Sequence, residues 1–218
     1  MIRLIDINKS YPTRRGRNHV LRNINLTLEK GQKIGILGRN GAGKTTLIRI
    51  LGGVEKPSSG RVERDMTISW PLAFSGAFQQ SLTGYDNLKF ICRIYGKDPE
   101  AALPAVEDFA ELGRYMKEPL KTYSAGMRAR LGFAISLVVE FDCFLIDEVV
   151  AVGDQRFQDR CREELLVKRA DRSMFFVSHN PNFIRENCDR AAVLANGSLV
   201  CFDNVDEAYH HYQTHSQE

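Results

Sequence analysis

The feature that most constrains this chain is the stretch Gly38-Arg39-Asn40-Gly41-Ala42-Gly43-Lys44-Thr45. It follows the apolar run Lys33-Ile34-Gly35-Ile36-Leu37 and opens Thr45 to Leu51, a segment of helical composition. The stretch fits GxxxxGK[ST] at the strand-to-helix junction that this pattern requires. The backbone explains the chemistry. Glycines let successive N–H groups converge on a β-phosphate at a helix N-terminus, Lys44 offers a point charge to the β- and γ-phosphates, and Thr45 offers a hydroxyl to Mg²⁺. Thr46 continues the same first helical turn, so the sequence predicts an ATP-binding loop over residues 38–46.

About a hundred residues later, Phe144-Leu145-Ile146-Asp147-Glu148 reads as a buried strand ending in two carboxylates. By itself such a run also fits a strand meeting a solvated turn. Behind a phosphate loop it acquires a role: Asp147 is placed to hold Mg²⁺ through water, and Glu148 to polarise an attacking water as general base. Between the two motifs lies Tyr123-Ser124-Ala125-Gly126-Met127-Arg128, directly ahead of an apolar-periodic run through Val139. Ser124 can simply cap that helix; a serine and a glycine at a helix N-terminus can also hold a phosphate.

Around these motifs the chain reads as one α/β domain over residues 1–218. Residues 1–37 carry short alternating segments suited to an antiparallel sheet. From Thr83 to Gly113 the spacing turns helical, with Leu88, Ile91, Cys92 and Tyr95 on one stripe and a second run through Val106, Phe109 and Leu112. This predicts an inserted helical subdomain over about residues 76–138. A helix over about 155–170, a strand over 174–178, a helix over 181–187 and a β pair over 191–194 and 198–202 complete the reading.

Composition narrows the function classes. With 43% hydrophobic and 26% charged residues, the chain is too apolar for disorder. A net charge of +3 gives no strong field for nucleic acid. The local basic cluster Arg14, Arg15, Arg17 reads as a hairpin loop, solvated or close to anionic lipid headgroups. Five scattered cysteines without a CxxC pair point to reduced thiols rather than zinc or disulfides. The most apolar later stretch, Leu131 to Ile146, is broken by Glu140 and Asp142, so no segment reads as membrane-spanning.

The spacing of Ser124 about twenty residues ahead of the acidic strand end resembles the signature motif of ABC ATPases, usually written LSGGQ, and the resemblance covers essentially the whole chain. Here Ala125 replaces the first glycine and Met127 the glutamine, so Ser124 and Gly126 carry the phosphate argument. The resemblance implies further roles. Tyr11 is similar to the aromatic that stacks on adenine, and Ala151-Val152-Gly153-Asp154 occupies the D-loop position, where Asp154 would reach across a dimer. His179, in Phe176-Val177-Ser178-His179, is similar to the switch histidine that contacts the γ-phosphate. Gln79 stands near the Q-loop position as a magnesium ligand, although it lies closer to Leu82-Thr83-Gly84 than the usual register allows. The implied cofactors are ATP and Mg²⁺. The implied assembly is a head-to-tail homodimer in which Lys44 of one copy and Ser124 of the other enclose each ATP.

Three further segments narrow the resemblance: Gln80 to Asn87, Tyr123 to Leu131, and Asp147 to Asp154. They are similar to the branch that exports polysaccharide across the bacterial inner membrane, and in particular to the capsular polysaccharide (Kps-type) ATPases. The short stretch after the last β pair favours that type over O-antigen relatives with an added carbohydrate-binding domain. The implied partners are two copies of a transmembrane permease and periplasmic or outer-membrane components, with the chain peripheral on the cytoplasmic face. No direct contact with polysaccharide or nucleic acid is expected. O-antigen or teichoic acid export, or a soluble ABC ATPase acting on nucleic acid, are the competing readings. The permease contact is expected around Trp70 to Tyr85 and the helix after it, where Trp70, Phe74 and Phe78 either form an apolar groove or fill the core.

Overall fold

The computed structural model describes residues 1–14, 16–72, 78–147, 154–178 and 180–215. The chain divides into two compact units, Met1–Pro71 with Asp142–Glu148 and Ala170–Glu218, and Leu72–Phe141 with Val149–Arg169.

The first unit holds two sheets. Strands β1 (Ile2–Thr13), β2 (Gly16–Leu28) and β4 (Ser59–Arg64) form an antiparallel sheet in the order β2-β1-β4. Thr13 pairs with Gly16, so of the basic cluster Arg14 lies at a hairpin turn and Arg17 at the start of β2, while Arg15 lies outside the described residues. The β1–β2 ladder shifts register between Leu4 and Ile7. Asn23, at φ 53°, marks the next shift, between Ile7 and Lys9, and the first irregularity falls where Asp6 adopts φ of 50°, a conformation that short polar side chains tolerate. Asn25 fixes it, accepting from the Asp6 N–H at 3.0 Å and donating to the Asp6 carboxylate at 3.0 Å.

The second sheet runs β5 (Ile68–Pro71), β6 (Cys143–Asp147), β7 (Ser173–Val177), β3 (Lys33–Leu37), β8 (Arg190–Ala195) and β9 (Ser198–Phe202), parallel except for β9. Its inner strands are near-continuous apolar runs because a parallel sheet is covered on both faces; β7 is buried at every position. Helix α1 (Lys44–Leu51) buries Leu47, Ile48, Ile50 and Leu51 in the core of this unit. Arg64, from β4, closes the helix by donating to the carbonyls of Ile50 (2.7 Å) and Leu51 (3.0 Å), acceptors beyond the reach of the intrahelical ladder; the Ile50 carbonyl also accepts from the Gly53 N–H at 3.1 Å. Helices α6 (Pro181–Asn187) and α7 (Val205–His215) complete the unit. Strands β4 and β5 and helix α7 were not foreseen in the sequence.

The second unit is helical: α2 (Gly84–Ile94), α3 (Pro99–Ala110), α4 (Ala125–Val139) and α5 (Gln155–Arg162), the last continuing as a π turn over Glu163–Val167. Each start has a chemical cause. Thr83 and Asp86 form a reciprocal capping box on α2, Asp98 caps α3 ahead of Pro99, and Ser124 caps α4. Leu88, Ile91 and Cys92 are buried as their stripe predicts, but Tyr95 lies just past the helix end and is 40% exposed. Trp70 and Phe78 are both buried; the Phe78 ring is so close to Gly132 of α4 that an added methyl would meet it at 3.1 Å. These two rings are core, which overturns the apolar-groove expectation for them. Phe74 lies outside the described residues.

Candidate nucleotide site

The C-terminal edge of the parallel sheet assembles the site. Ile36 of β3 and Asp147 of β6 are both in register with Val177 of β7, so the strand ends that lead to the loop at 38–43, to Glu148 and to Ser178 lie level along one edge. Ligands of open α/β sheets gather at that edge.

Two glycines in the loop are required by geometry. Gly43 caps α1 at φ 106°, and a Cβ there would stand 2.9 Å from Val20 Cγ1 and 3.1 Å from Leu21 Cδ2. At Gly38 a Cβ would meet the Leu194 carbonyl oxygen at 2.6 Å. The first bond of α1 runs from the Leu47 N–H to the Gly43 carbonyl at 2.9 Å. The N–H groups of Lys44, Thr45 and Thr46 therefore precede the helical ladder, and they point where an anion is stabilised by the helix end. Lys44 is 8% exposed, and its ammonium donates to the carbonyls of Gly38 (2.6 Å) and Arg39 (3.0 Å). Its charge is thus held inside the loop.

A cavity of about 340 Å³ opens against this loop, lined by Val20, Gly43, Lys44, Thr45, Thr46 and Asp147 together with Asn40 and Gly41. The structure brings Thr45 and Asp147, two of the three residues expected to serve a magnesium ion, to one cavity; Gln79 is not among its lining. Hydroxyl, carboxylate, ammonium and helix N–H groups in one cleft form a donor set that fits a metal-bound triphosphate. A larger cavity of about 590 Å³ shares Val20, Asn40 and Gly41, and adds Arg39, Ala42 and residues that the sequence did not single out, among them Arg22 and Tyr212.

Tyr11 does not line the first cavity. It sits on β1 opposite Asn18, its hydroxyl donating to Glu55 at 2.7 Å, while the Lys9 ammonium lies 5.0 Å from its ring centre and 2.8 Å from Glu55. Burial pushes the Glu55 carboxyl up, but hydrogen bonds from Lys9 and Tyr11 outweigh it and leave the pKa below its ordinary value. Glu55 lies 44 residues from Tyr11, and no local signal in the sequence connects them.

In the helical unit, Ser124 is exposed and its hydroxyl accepts from the Met127 N–H at 3.2 Å. Ala125, Gly126 and Met127 form the first turn of α4. Gln79 is exposed, its backbone fixed by Asn87, which accepts from the Gln79 N–H at 2.9 Å and donates to its carbonyl at 3.1 Å. Asp154 caps α5 by accepting from the Phe157 N–H at 2.9 Å and pairs with Arg130 at 2.8 Å. The Phe157 N–H, followed by the Arg130 charge, holds its carboxyl below the usual range. Glu148 and His179 lie outside the described residues.

The ABC transporter family profile matches residues 21–151, from β2 through the acidic strand end. The chain belongs to the ABC transporter family. Its enzymatic class is that of the family, an ATPase. It is 59% identical to ATP-binding protein BexA of Haemophilus influenzae, across 97% of this chain and 98% of that protein. It is 56% identical to capsule polysaccharide export ATP-binding protein CtrD of Neisseria meningitidis serogroup B, across 98% and 99%. The fold matches the dimeric post-hydrolysis structure of the ATP-binding cassette MJ0796 bound to ADP and Pi, at 23% identity, with a TM-score of 0.74 over 91% of this chain and 96% of that one. Among the described residues no helix is long and apolar enough to cross a membrane.

Proposed function

We propose that this chain is the ATP-hydrolysing subunit of an exporter that drives capsular, or closely related cell-surface, polysaccharide across the bacterial inner membrane. The observation that carries this reading is the 56% identity, over nearly the whole of both chains, to a protein named for capsule polysaccharide export. The teichoic acid export proteins TagH of two staphylococci are 38% and 36% identical, and the matches cover 75% and 74% of their lengths. That difference favours capsule over teichoic acid.

The chemistry follows from the residues. Gly38 to Thr46 bind the triphosphate, with Lys44 turning its ammonium from the loop carbonyls to the β- and γ-phosphates. Thr45 and Asp147 would hold Mg²⁺, whose charge offsets that of the phosphates, with Gln79 as a further candidate ligand. Glu148 takes the proton of the attacking water, His179 contacts the γ-phosphate, and Tyr11 stacks on adenine. Ser124, with Ala125, Gly126 and Met127, meets the nucleotide of a second copy, because the Ser124 hydroxyl is exposed at a helix N-terminus. Two ATPs then join two subunits, and loss of the γ-phosphate contacts releases them. The difference in affinity between those states is what moves an attached permease pair.

The whole chain acts as one nucleotide-binding domain, peripheral on the cytoplasmic face through the permease, with periplasmic and outer-membrane components downstream. Permease contact is best supported on α2, where Phe90 and Ile94, one helical turn apart, are 54% and 58% exposed. The test is reconstitution in vesicles with the permease of the same capsule locus. ATP-dependent polysaccharide translocation, lost in Lys44→Ala, supports the proposal; ATP turnover without any polysaccharide movement overturns the substrate assignment.

A further inference from the structure

The larger cavity beside the phosphate loop, of about 590 Å³, is left unassigned by the reading above. It lies wholly within the first unit, and its walls are tied to one another. The Arg22 N–H of β2 donates to the Gly197 carbonyl at 2.7 Å, which fixes β2 to the turn between β8 and β9. That turn is Asn196-Gly197, with φ of 50° and 79°, the two-residue form that matches the twist of a hairpin. A Cβ on Gly197 would meet the Val20 carbonyl oxygen at 3.0 Å and Arg22 Cγ at 3.4 Å, so these walls are already in close contact. The phosphate loop supplies a further wall through Arg39, Asn40 and Gly41, and α7 contributes Tyr212. Helix α7 is fastened by Ala208, which is fully buried, and by His211, whose ring centre lies 5.2 Å from that of Phe202.

Charge selects the occupant. Among the described residues no aspartate or glutamate lines this cavity, while Arg22 and Arg39 both do. Both side chains are exposed, and neither makes an ion pair with a described residue, so an anion would be their first charged partner. The Lys44 ammonium, held on the Arg39 carbonyl at 3.0 Å, adds to the positive field at the shared wall. Guanidinium forks match phosphate oxygens two at a time and stay charged at any working pH. An inorganic phosphate would leave most of the volume empty, which is of the size that holds a small organic ligand. Asn40 and Asn196 offer amide donors and acceptors for hydroxyl groups, and Tyr212 offers an apolar ring face. We propose that this cavity binds a phosphorylated sugar, free or within a nucleotide, at a site distinct from the ATP cavity. Arg22 and Arg39 take the phosphate, and Asn196 and Tyr212 take the sugar ring.

Equilibrium dialysis of the full-length protein without ATP tests this, with labelled glucose 1-phosphate, UDP-glucose and inorganic phosphate as probes. Glucose 1-phosphate or UDP-glucose should bind once per chain with a Kd below about 1 mM. The tighter of the two tells whether the sugar is met free or within a nucleotide. Inorganic phosphate should bind about tenfold more weakly or worse, since it leaves Asn196 and Tyr212 unused. Arg22→Gln removes a charge-assisted contact and should raise the Kd of the tighter probe about tenfold or more. Tyr212→Leu should raise it about three- to tenfold. Lys44→Ala should keep the probe Kd within about threefold while losing a fluorescent ATP analogue, and Arg22→Gln should keep the Kd of that analogue within about twofold. These readouts are of binding alone, so they stand whether or not the protein hydrolyses ATP. Should Arg22→Gln fail to fold, Tyr212→Leu carries the test. No saturable binding up to about 10 mM would overturn the proposal. So would inorganic phosphate binding as tightly as the sugar phosphates, or binding that is lost in Lys44→Ala and kept in Arg22→Gln.

Discussion

Replacing Gly43 with alanine isolates how the phosphate loop is held. The new methyl would stand 2.9 Å from Val20 Cγ1 and 3.1 Å from Leu21 Cδ2, and the backbone there has φ 106°. The backbone strain costs about 1–2 kcal/mol and the overpacking about 1–3 kcal/mol. Together they give about 2–5 kcal/mol, which for a chain of this size lowers Tm by about 4–20 °C. Gly41 supplies the internal control: its φ is also positive, at 84°, but no atom lies within 4 Å of an added Cβ. Gly41→Ala should carry the backbone term alone, about 1–2 kcal/mol, or about 2–8 °C. Thermal unfolding without nucleotide, followed by circular dichroism, reads the difference. Equal midpoints for the two variants would show that contact with β2 does not shape the loop, and the steric part of the reasoning would be wrong.

Two further outcomes follow from capping and charge. Asp142 accepts from the Thr67 hydroxyl at 2.7 Å and the Thr67 N–H at 2.9 Å, which hold its carboxyl below the ordinary range. A depressed folded pKa means stability that is full above the unfolded value of about 4 and lost as pH falls through the folded one. Asp142→Asn should therefore cost about 1–2 kcal/mol at neutral pH, with the gap to wild type closing below about pH 4 in urea titrations. Arg64→Met leaves the Leu51 carbonyl at the end of α1 without its side-chain donor and the Ile50 carbonyl with the Gly53 N–H alone. It should cost about 1–3 kcal/mol in the same assay, and a neutral result would mean that water replaces the guanidinium fully.

The phosphate loop was legible because its requirements are local. Glycine spacing, the lysine and the flanking apolar strand all lie within a dozen residues, and the structure puts Thr45 and Asp147 on one cavity as that pattern implies. The β1–β2 hairpin and the central strands were legible for the same reason: their periodicity is read one segment at a time. What escaped depends on distant partners. β4 reads as a polar stretch, Ser59-Gly60-Arg61-Val62-Glu63-Arg64, and becomes a strand only because β1 offers an edge to pair with. Tyr95 fits the apolar stripe of α2 on paper, yet the helix stops one residue before it. Trp70 and Phe78 fitted either a surface for a partner or the core, and are buried; aromatic residues in a loop-rich stretch do not reveal which side they face. The Arg130–Asp154 pair was invisible for a similar reason, its members lying 24 residues apart.

The central claim is that ATP lies between the loop of Lys44 in one copy and the helix capped by Ser124 in another. The most direct measurement is sedimentation of Glu148→Gln, which should bind ATP without consuming it. The account predicts a monomer without nucleotide, a dimer with ATP and Mg²⁺, and no dimer when Ser124→Arg is added. A protein that binds ATP tightly and still sediments as a monomer, alone and with its permease, would contradict it.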